Sequence, residues 1–192
     1  MEKDVSIGIL AGGRSRRFGS DKAEALLEGK SFLATLLSSF SHYRDILVSV
    51  RKDRLLSPSS FRVLRDEKDD MGPMEGLRQV LSHAENDWVF VIPVDMPLVD
   101  SSLLNALSSF MSEDYDIILP SIDSRMTPLP ALYHKRVLPL VEESLEKGNL
   151  RLMDLIQRTK WKAVETASSK QLVNINDQEA YKALLATRRE GK

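Results

Sequence analysis

An abrupt change of character near the amino end constrains this chain most. The apolar run Val5-Ser6-Ile7-Gly8-Ile9-Leu10 stops at Ala11-Gly12-Gly13-Arg14-Ser15-Arg16-Arg17-Phe18-Gly19-Ser20-Asp21-Lys22. A short β-branched run suits a strand buried on both faces. The paired glycines after it allow backbone dihedrals that other residues resist, so main-chain amides can turn toward an anion. Arg14, Arg16, Arg17 and Lys22 add positive charge there, arginine as a planar fork and lysine as a point charge. Polyphosphate, and hence a nucleoside triphosphate, is the natural ligand. The run lacks the Gly-Lys-Ser/Thr ending of a Walker loop and the G-x-G-x-x-G of a dinucleotide turn. Taken alone, Gly12-Gly13 also fits an ordinary tight turn and the arginines a solvated face.

Composition narrows the setting. The 192 residues suffice for one sizeable core, and a single domain is expected. With a formal net charge of -1, no global basic field points to nucleic acid, and the Arg14 to Lys22 cluster stands out against a neutral background. The absence of cysteine excludes disulfides, thiolate metal sites and cysteine nucleophiles. No apolar stretch approaches a membrane span, and Met1-Glu2-Lys3-Asp4 leads straight into the first strand, so a cytoplasmic protein is expected.

Along the chain, Ala23 to Glu28 and Ser31 to Phe40 carry apolar residues at helical spacing, broken by Gly29-Lys30. Asp45 to Val50 and Phe61 to Leu64 read as strands, with Arg51 to Ser60 a short helical or irregular connection. The second strand runs into a charged loop and then Gly72-Pro73-Met74-Glu75-Gly76, where Pro73 suits the first turn of a helix to about His83. Trp88 to Val94 is the most apolar strand and closes on Pro93-Val94-Asp95-Met96-Pro97. Asp100 or Ser101 caps a helix through Met111. The later half is mixed: Asp116 to Pro120, a polar turn at Asp123-Ser124-Arg125, an extended Pro128 to Tyr133, helical Arg136 to Lys147 and Leu150 to Gln157, then Trp161 to Glu165. A last helix, Gln178 to Thr187, follows Asn174-Ile175-Asn176-Asp177. The alternation predicts an α/β fold of three layers, α/β/α, with a Rossmann-like, mostly parallel sheet that binds ligand at the carboxyl ends of its strands. That rule gathers Gly12-Gly13, Asp66 and Asp95, and leaves the later half to supply a second substrate's surface.

Asp95 is the first candidate for a metal ligand, because magnesium takes one or two carboxylates plus substrate phosphates. A turn aspartate bonded to its own backbone beside Pro97 is the structural alternative. His42, His83 and His134 have no metal-like spacing and read as structural or surface residues.

The run Leu-Ala-Gly-Gly-x-Ser-x-Arg-x-Gly-x-Asp-Lys after an amino-terminal strand resembles the signature of nucleotidyltransferases that activate sugars, isoprenoid precursors and molybdopterin. Gly-Pro-Met-Glu-Gly, Asp-Met-Pro and the late Asn-Ile-Asn-Asp make it most similar to the molybdenum cofactor guanylyltransferases, from about Gly8 to Ala183. That resemblance implies transfer of GMP from GTP to molybdenum-molybdopterin with release of pyrophosphate, aided by Mg2+, with Mn2+ as a substitute. It places nucleotide at Leu10, Ala11, Gly12, Gly13, Lys22, Asp66, Gly72 and Asp95, with Arg17, Lys22 and Asp95 serving the reaction and Asp95 the metal. Asn174 and Asn176 would face the pterin, with Arg151 a candidate for its phosphate; by sequence alone the two asparagines read as turn formers before a helix. Molybdenum-insertion proteins and molybdoenzyme chaperones are the partners such a role suggests. Two positions depart from the family: Ser49 stands where an asparagine lines the nucleotide site, and Thr127-Pro128 replaces a His-Pro pair. Ser49 retains one hydroxyl with which to meet a base or ribose. The rivals are a nucleotidyltransferase that takes CTP or a sugar phosphate, and a nucleotide-binding module without turnover. Lys22 and Asp95 together speak against the module, since binding alone does not require both.

Overall fold

The computed structural model describes residues 4–12, 26–27, 29–54, 56, 60–68, 70–166 and 169–175. Gly13, Arg17, Lys22, Asn176 and the helix expected over 178–187 lie outside them.

Apolar strands buried on both faces build the centre. β1 (Val5–Leu10) pairs in parallel with β4 (Ile46–Val50) on one side and β6 (Trp88–Pro93) on the other. Beyond β4 lies β5 (Arg62–Arg65), also parallel. Beyond β6 come β9 (Ala131–His134), β7 (Ile117–Ile122) and β10 (Trp161–Glu165). β9 runs antiparallel to both its neighbours, and β8 (Arg125–Met126) turns back on β7, so the eight-stranded sheet is mixed but mostly parallel. Asp123 and Ser124 take positive φ of 48° and 62° in the β7–β8 turn. That is the handedness a two-residue hairpin turn needs.

The period-two alternation of each strand divides the core into two layers. Val5, Ile7 and Ile9 of β1, with Trp88, Phe90 and Ile92 of β6, meet α1 (Phe32–Ser39) and α3 (Ser101–Ser108). Val89 and Val91 face the other way, onto α2 (Gly72–His83), α4 (Leu138–Glu146) and α5 (Leu152–Gln157). Helices therefore cover both faces, as the alternation of strands and helices predicts. α2 packs tightly on the sheet: a Cβ added at Gly8 would stand 3.0 Å from Val80, and one at Gly76 would stand 3.1 Å from both Leu10 and Ser49. Among the described residues no helix is long and apolar enough to cross a membrane.

Two expected elements differ. Leu26–Leu27, read as helical, is a strand (β2) paired antiparallel with Lys30–Ser31 (β3) across Gly29, whose φ of +82° turns the chain. Side-chain spacing cannot signal such a reversal, because a left-handed glycine overrides it. α3 ends at Ser108, short of Met111; Asp100 caps its start, accepting from the Ser102 amide at 2.8 Å.

At the amino ends of the strands a buried polar knot ties the layers together. The carboxylate of Asp45 accepts from the Ser6 hydroxyl, the Arg62 guanidinium and the Glu85 amide. Burial alone would raise its pKa, but the Glu85 amide, Ser6 and Arg62 outweigh it and hold the carboxyl below its ordinary range. A carboxyl whose pKa is depressed by folding stabilises the protein above the unfolded value, and that contribution disappears as pH falls through the folded value. Asp45→Ala should therefore cost about 2–4 kcal/mol at pH 7, because Ser6, Arg62 and a backbone amide lose their acceptor. The penalty should shrink on acidification below about pH 4, the ordinary carboxylate range. Denaturant unfolding of the two proteins at pH 7 and pH 3 measures both; an equal penalty at the two pH values would show that the charge does not matter.

Candidate active site

The chain runs from β1 outward to β4 and β5, then crosses back to β6 on the other side of β1. This reversal opens a crevice at the carboxyl ends of the strands, the usual ligand position in such sheets. A cavity of about 480 Å³ sits there. Hydrogen bonds carry the ladder past the strand ends: the Ala11 amide donates to the Ser49 carbonyl at 2.7 Å, and the Val94 amide to that of Leu10 at 3.0 Å. Gly12 thereby leaves the sheet between β4 and β6, with Ala11 and Gly12 on the cavity wall. Arg54 reaches the Ala11 carbonyl from the loop after β4, at 3.5 Å.

Asp66 follows β5. Its amide donates to the Val50 carbonyl at 2.9 Å, and its Oδ1 accepts from the Ser49 hydroxyl at 2.7 Å. A Cβ added at Gly12 would stand only 2.5 Å from Oδ2 of Asp66. A side chain at position 12 would therefore displace the Asp66 carboxylate, a constraint separate from any freedom of glycine's dihedrals. Ser49 is fully buried and spends its hydroxyl on Asp66. The hydroxyl thus orients the aspartate on the cavity wall that Ser49 also lines, and its lone pairs remain as acceptors toward a nucleotide. Gly72 takes φ of +59° at the entry to α2 and lines the cavity with Pro73 and Gly76.

Asp95 stands across the cavity, just past β6, where the Met96 amide bonds back to the Pro93 carbonyl at 3.1 Å. Its main-chain carbonyl accepts from the Ile175 amide at 2.8 Å, and Ile175 is fully buried. That bond brings Asn174 to the cavity wall. The same segment is anchored by Gln171, whose Nε2 lies 2.7 Å from Oδ1 of Asp100 and 2.7 Å from the Ser102 hydroxyl. Thr127, Pro128, Leu129 and Leu152 complete the far wall. The Tyr133 hydroxyl donates to the Pro128 carbonyl at 2.7 Å from full burial, which pushes its phenol pKa up.

Of the residues expected at the site and described, Leu10, Ala11, Gly12, Asp66, Gly72, Asp95 and Asn174 all line this one cavity. Arg151 does not: it is exposed beyond the cavity lining, and only its neighbour Leu152 reaches the wall. The apolar wall of Met96, Leu129 and Leu152 carries no signal in the sequence, because its residue types match any core. Nor do the histidines' particular tasks. His134 caps the turn at Arg136 at 3.1 Å, and Nδ1 of His83 contacts the Gln79 carbonyl at 2.9 Å.

The donor set bears on a metal. Among the described residues no three His, Cys, Asp or Glu side chains cluster to hold an ion. Two carboxylates, Asp66 and Asp95, do line the cavity. One or two carboxylates completed by substrate phosphate oxygens is the arrangement magnesium favours, so the residues present fit that ion.

Residues 7–167 match the family described as the MobA-like NTP transferase domain. The chain belongs to that family. A relative from Bacillus velezensis named probable molybdenum cofactor guanylyltransferase is 33% identical over 186 residues, covering 93% of each chain. A molybdenum cofactor guanylyltransferase from Campylobacter jejuni subsp. doylei is 29% identical over 181 residues, covering 93% of this chain and 94% of its own. Among solved structures, molybdopterin-guanine dinucleotide biosynthesis protein A from Archaeoglobus fulgidus superposes with a TM-score of 0.85 at 21% identity, covering 96% of this chain and 99% of that one. A 2-C-methyl-D-erythritol 4-phosphate cytidylyltransferase from Thermus thermophilus reaches 0.74 at 17% identity, covering 96% and 98%. At those identities the two structures speak to the fold, a mostly parallel sheet between helical layers shared by nucleotidyltransferases.

Proposed function

We propose that this protein transfers GMP from GTP to the terminal phosphate of molybdenum-molybdopterin. The observation that carries the reading is the near full-length similarity to a guanylyltransferase together with one cavity that collects Gly12, Asp66, Asp95 and Asn174. In the reaction an oxygen of the pterin phosphate attacks the α-phosphorus of GTP. The bond from that phosphorus to the oxygen bridging the β-phosphate breaks, and pyrophosphate leaves. Such transfers need little covalent help, so positioning and charge neutralisation account for most of the catalysis.

Gly12 and Gly13 would present main-chain amides to the triphosphate, and Arg17 and Lys22 would add cationic contacts. Asp66 would receive the nucleoside, on the wall it shares with Gly72 and Gly76. Asp95 would hold Mg2+, or Mn2+ in its place. When bound, the ion neutralises charge on the reacting phosphate and orients it. Asn174, on the opposite side from Asp66, would receive the pterin, and Asn176 would join it in that role.

Pyrophosphate release with GTP, CTP, ATP and UTP, each with and without molybdopterin, tests the reading. Release should require molybdopterin and should favour GTP, since a base is discriminated by buried groups left unpaired against the wrong one. Equal or better use of CTP would reassign the base and keep the transfer. In the same assay Asn174→Ala should lower turnover while calorimetric GTP affinity stays near that of the parent. A large loss of GTP affinity with normal pterin binding would place Asn174 on the nucleotide side.

A further inference from the structure

Glu75 lies in the first turn of α2, is 1% exposed and does not line the cavity. A buried carboxylate is costly unless its oxygens are well supplied with donors. Here they are. Oε1 accepts from the Glu67 amide at 3.0 Å, from Nη2 of Arg78 at 2.9 Å and from Nε2 of Gln79 at 3.2 Å. Oε2 accepts from Nε of Arg78 at 3.1 Å, and Nη2 of Arg78 also lies 3.0 Å from Oε2 of Glu67. Burial would raise the pKa of Glu75, but Arg78, the Glu67 amide and Gln79 outweigh it and keep the group ionised at neutral pH.

The grip falls beside Asp66. The Asp66 amide is held by the Val50 carbonyl, and the next amide, that of Glu67, is held by Glu75. Both peptide groups flanking the Asp66 side chain are thus fixed, while Glu67, Lys68 and Asp70 just beyond are exposed. Asp66 has little room for error, standing between the Ser49 hydroxyl and Gly12.

We propose that Glu75, braced by Arg78, is a positioning residue for the nucleotide side of the site, fixing the backbone at Glu67 so that Asp66 is oriented before GTP arrives. The inference rests on the nucleotidyl-transfer reading above, and it gives a buried ion pair a task beyond stability. Preorganisation of this kind improves binding by lowering the ordering cost paid on association.

The test uses the full chain with Mg2+, GTP and molybdopterin, comparing Glu75→Ala and Glu75→Gln in parent and Asp66→Ala backgrounds. Amide exchange at Glu67 is read by NMR alongside the KM for GTP, kcat and thermal unfolding. Glu75→Ala should speed exchange at Glu67 and raise KM by about tenfold with kcat within about twofold, a coupling of ordinary size for residues in one network. Without the Asp66 carboxylate, the same substitution should leave KM within about twofold while still lowering the unfolding temperature, because the two share one path to the nucleotide. Glu75→Gln retains an oxygen for the Glu67 amide and should recover most of the KM; if Glu75→Ala does not fold, Glu75→Leu, which fills the space without offering an acceptor, carries the comparison. Unchanged exchange at Glu67, or an equal rise in KM with and without the Asp66 carboxylate, overturns the proposal. Failure of the parent protein to turn over GTP would count against the proposed function instead, and the exchange arm would still decide whether Glu75 holds the loop.

Discussion

Asp95→Asn is expected to abolish nucleotidyl transfer and leave the protein folded. Asparagine keeps the size of the side chain, and the bond from the Ile175 amide goes to the main-chain carbonyl of residue 95, which the substitution does not touch. The segment bearing Asn174 should therefore stay docked, and thermal unfolding should move little. What goes is the negative charge at the carboxyl end of β6, the feature that would draw magnesium to the triphosphate. Loss of several kcal/mol of charge stabilisation corresponds to a fall in turnover of about a thousandfold or more. Partial recovery with manganese, which binds such oxygen sites more tightly, fits the same role. Magnesium-dependent turnover within a few-fold of the parent would remove Asp95 as the metal ligand and turn attention to Asp66, the other described carboxylate on the cavity wall.

Gly12→Ala is expected to damage nucleotide binding by a route that no charge change explains. Its methyl group would stand 2.5 Å from Oδ2 of Asp66, closer than such atoms approach, so the aspartate must swing away. Leaving its place breaks the bond from Ser49, whose buried hydroxyl loses its acceptor. The stability cost should be small, about 1 kcal/mol, because the atom displaced is the end of a side chain and the loss is that of one hydrogen bond. GTP affinity should fall by about tenfold or more, in line with losing one charged hydrogen-bonding group from the site. The double variant Gly12→Ala with Asp66→Ala separates the effects: with the obstructing carboxylate gone, the added methyl group should lower neither stability nor affinity below that of Asp66→Ala alone. Calorimetry and thermal unfolding on the three proteins read both quantities. Full affinity in Gly12→Ala alone would show that Asp66 can move without consequence for the nucleotide.

Much of this protein was legible along the chain because its signals are local. Val5 to Leu10 and Trp88 to Val94 announce strands by unbroken apolar character, since strands covered on both faces have no polar side to show. Gly72-Pro73 announces a helix start through proline's fixed φ. Once strands and helices alternate, the handedness of the crossovers and the position of the crevice follow, which is why Gly12, Asp66 and Asp95 could be grouped from sequence.

What the chain could not announce are relations between side chains far apart in sequence, because the same residue type serves several tasks and only its neighbours select one. Ser49 reads as a weaker substitute for an asparagine that meets the nucleotide, yet 17 residues separate it from the aspartate that takes its hydroxyl. Glu75 reads as one more charge on a helix, and only packing shows it buried against the loop it holds. Arg151 and Asn174 are both candidates in sequence, Arg151 the weaker; the bond from Ile175 to Asp95 brings Asn174 to the cavity, while the start of α5 leaves Arg151 in solvent. Local propensity and periodicity determine the elements and their order. Burial and hydrogen-bond pairing, which exist only once those elements have packed, decide which polar groups form the site and which support it.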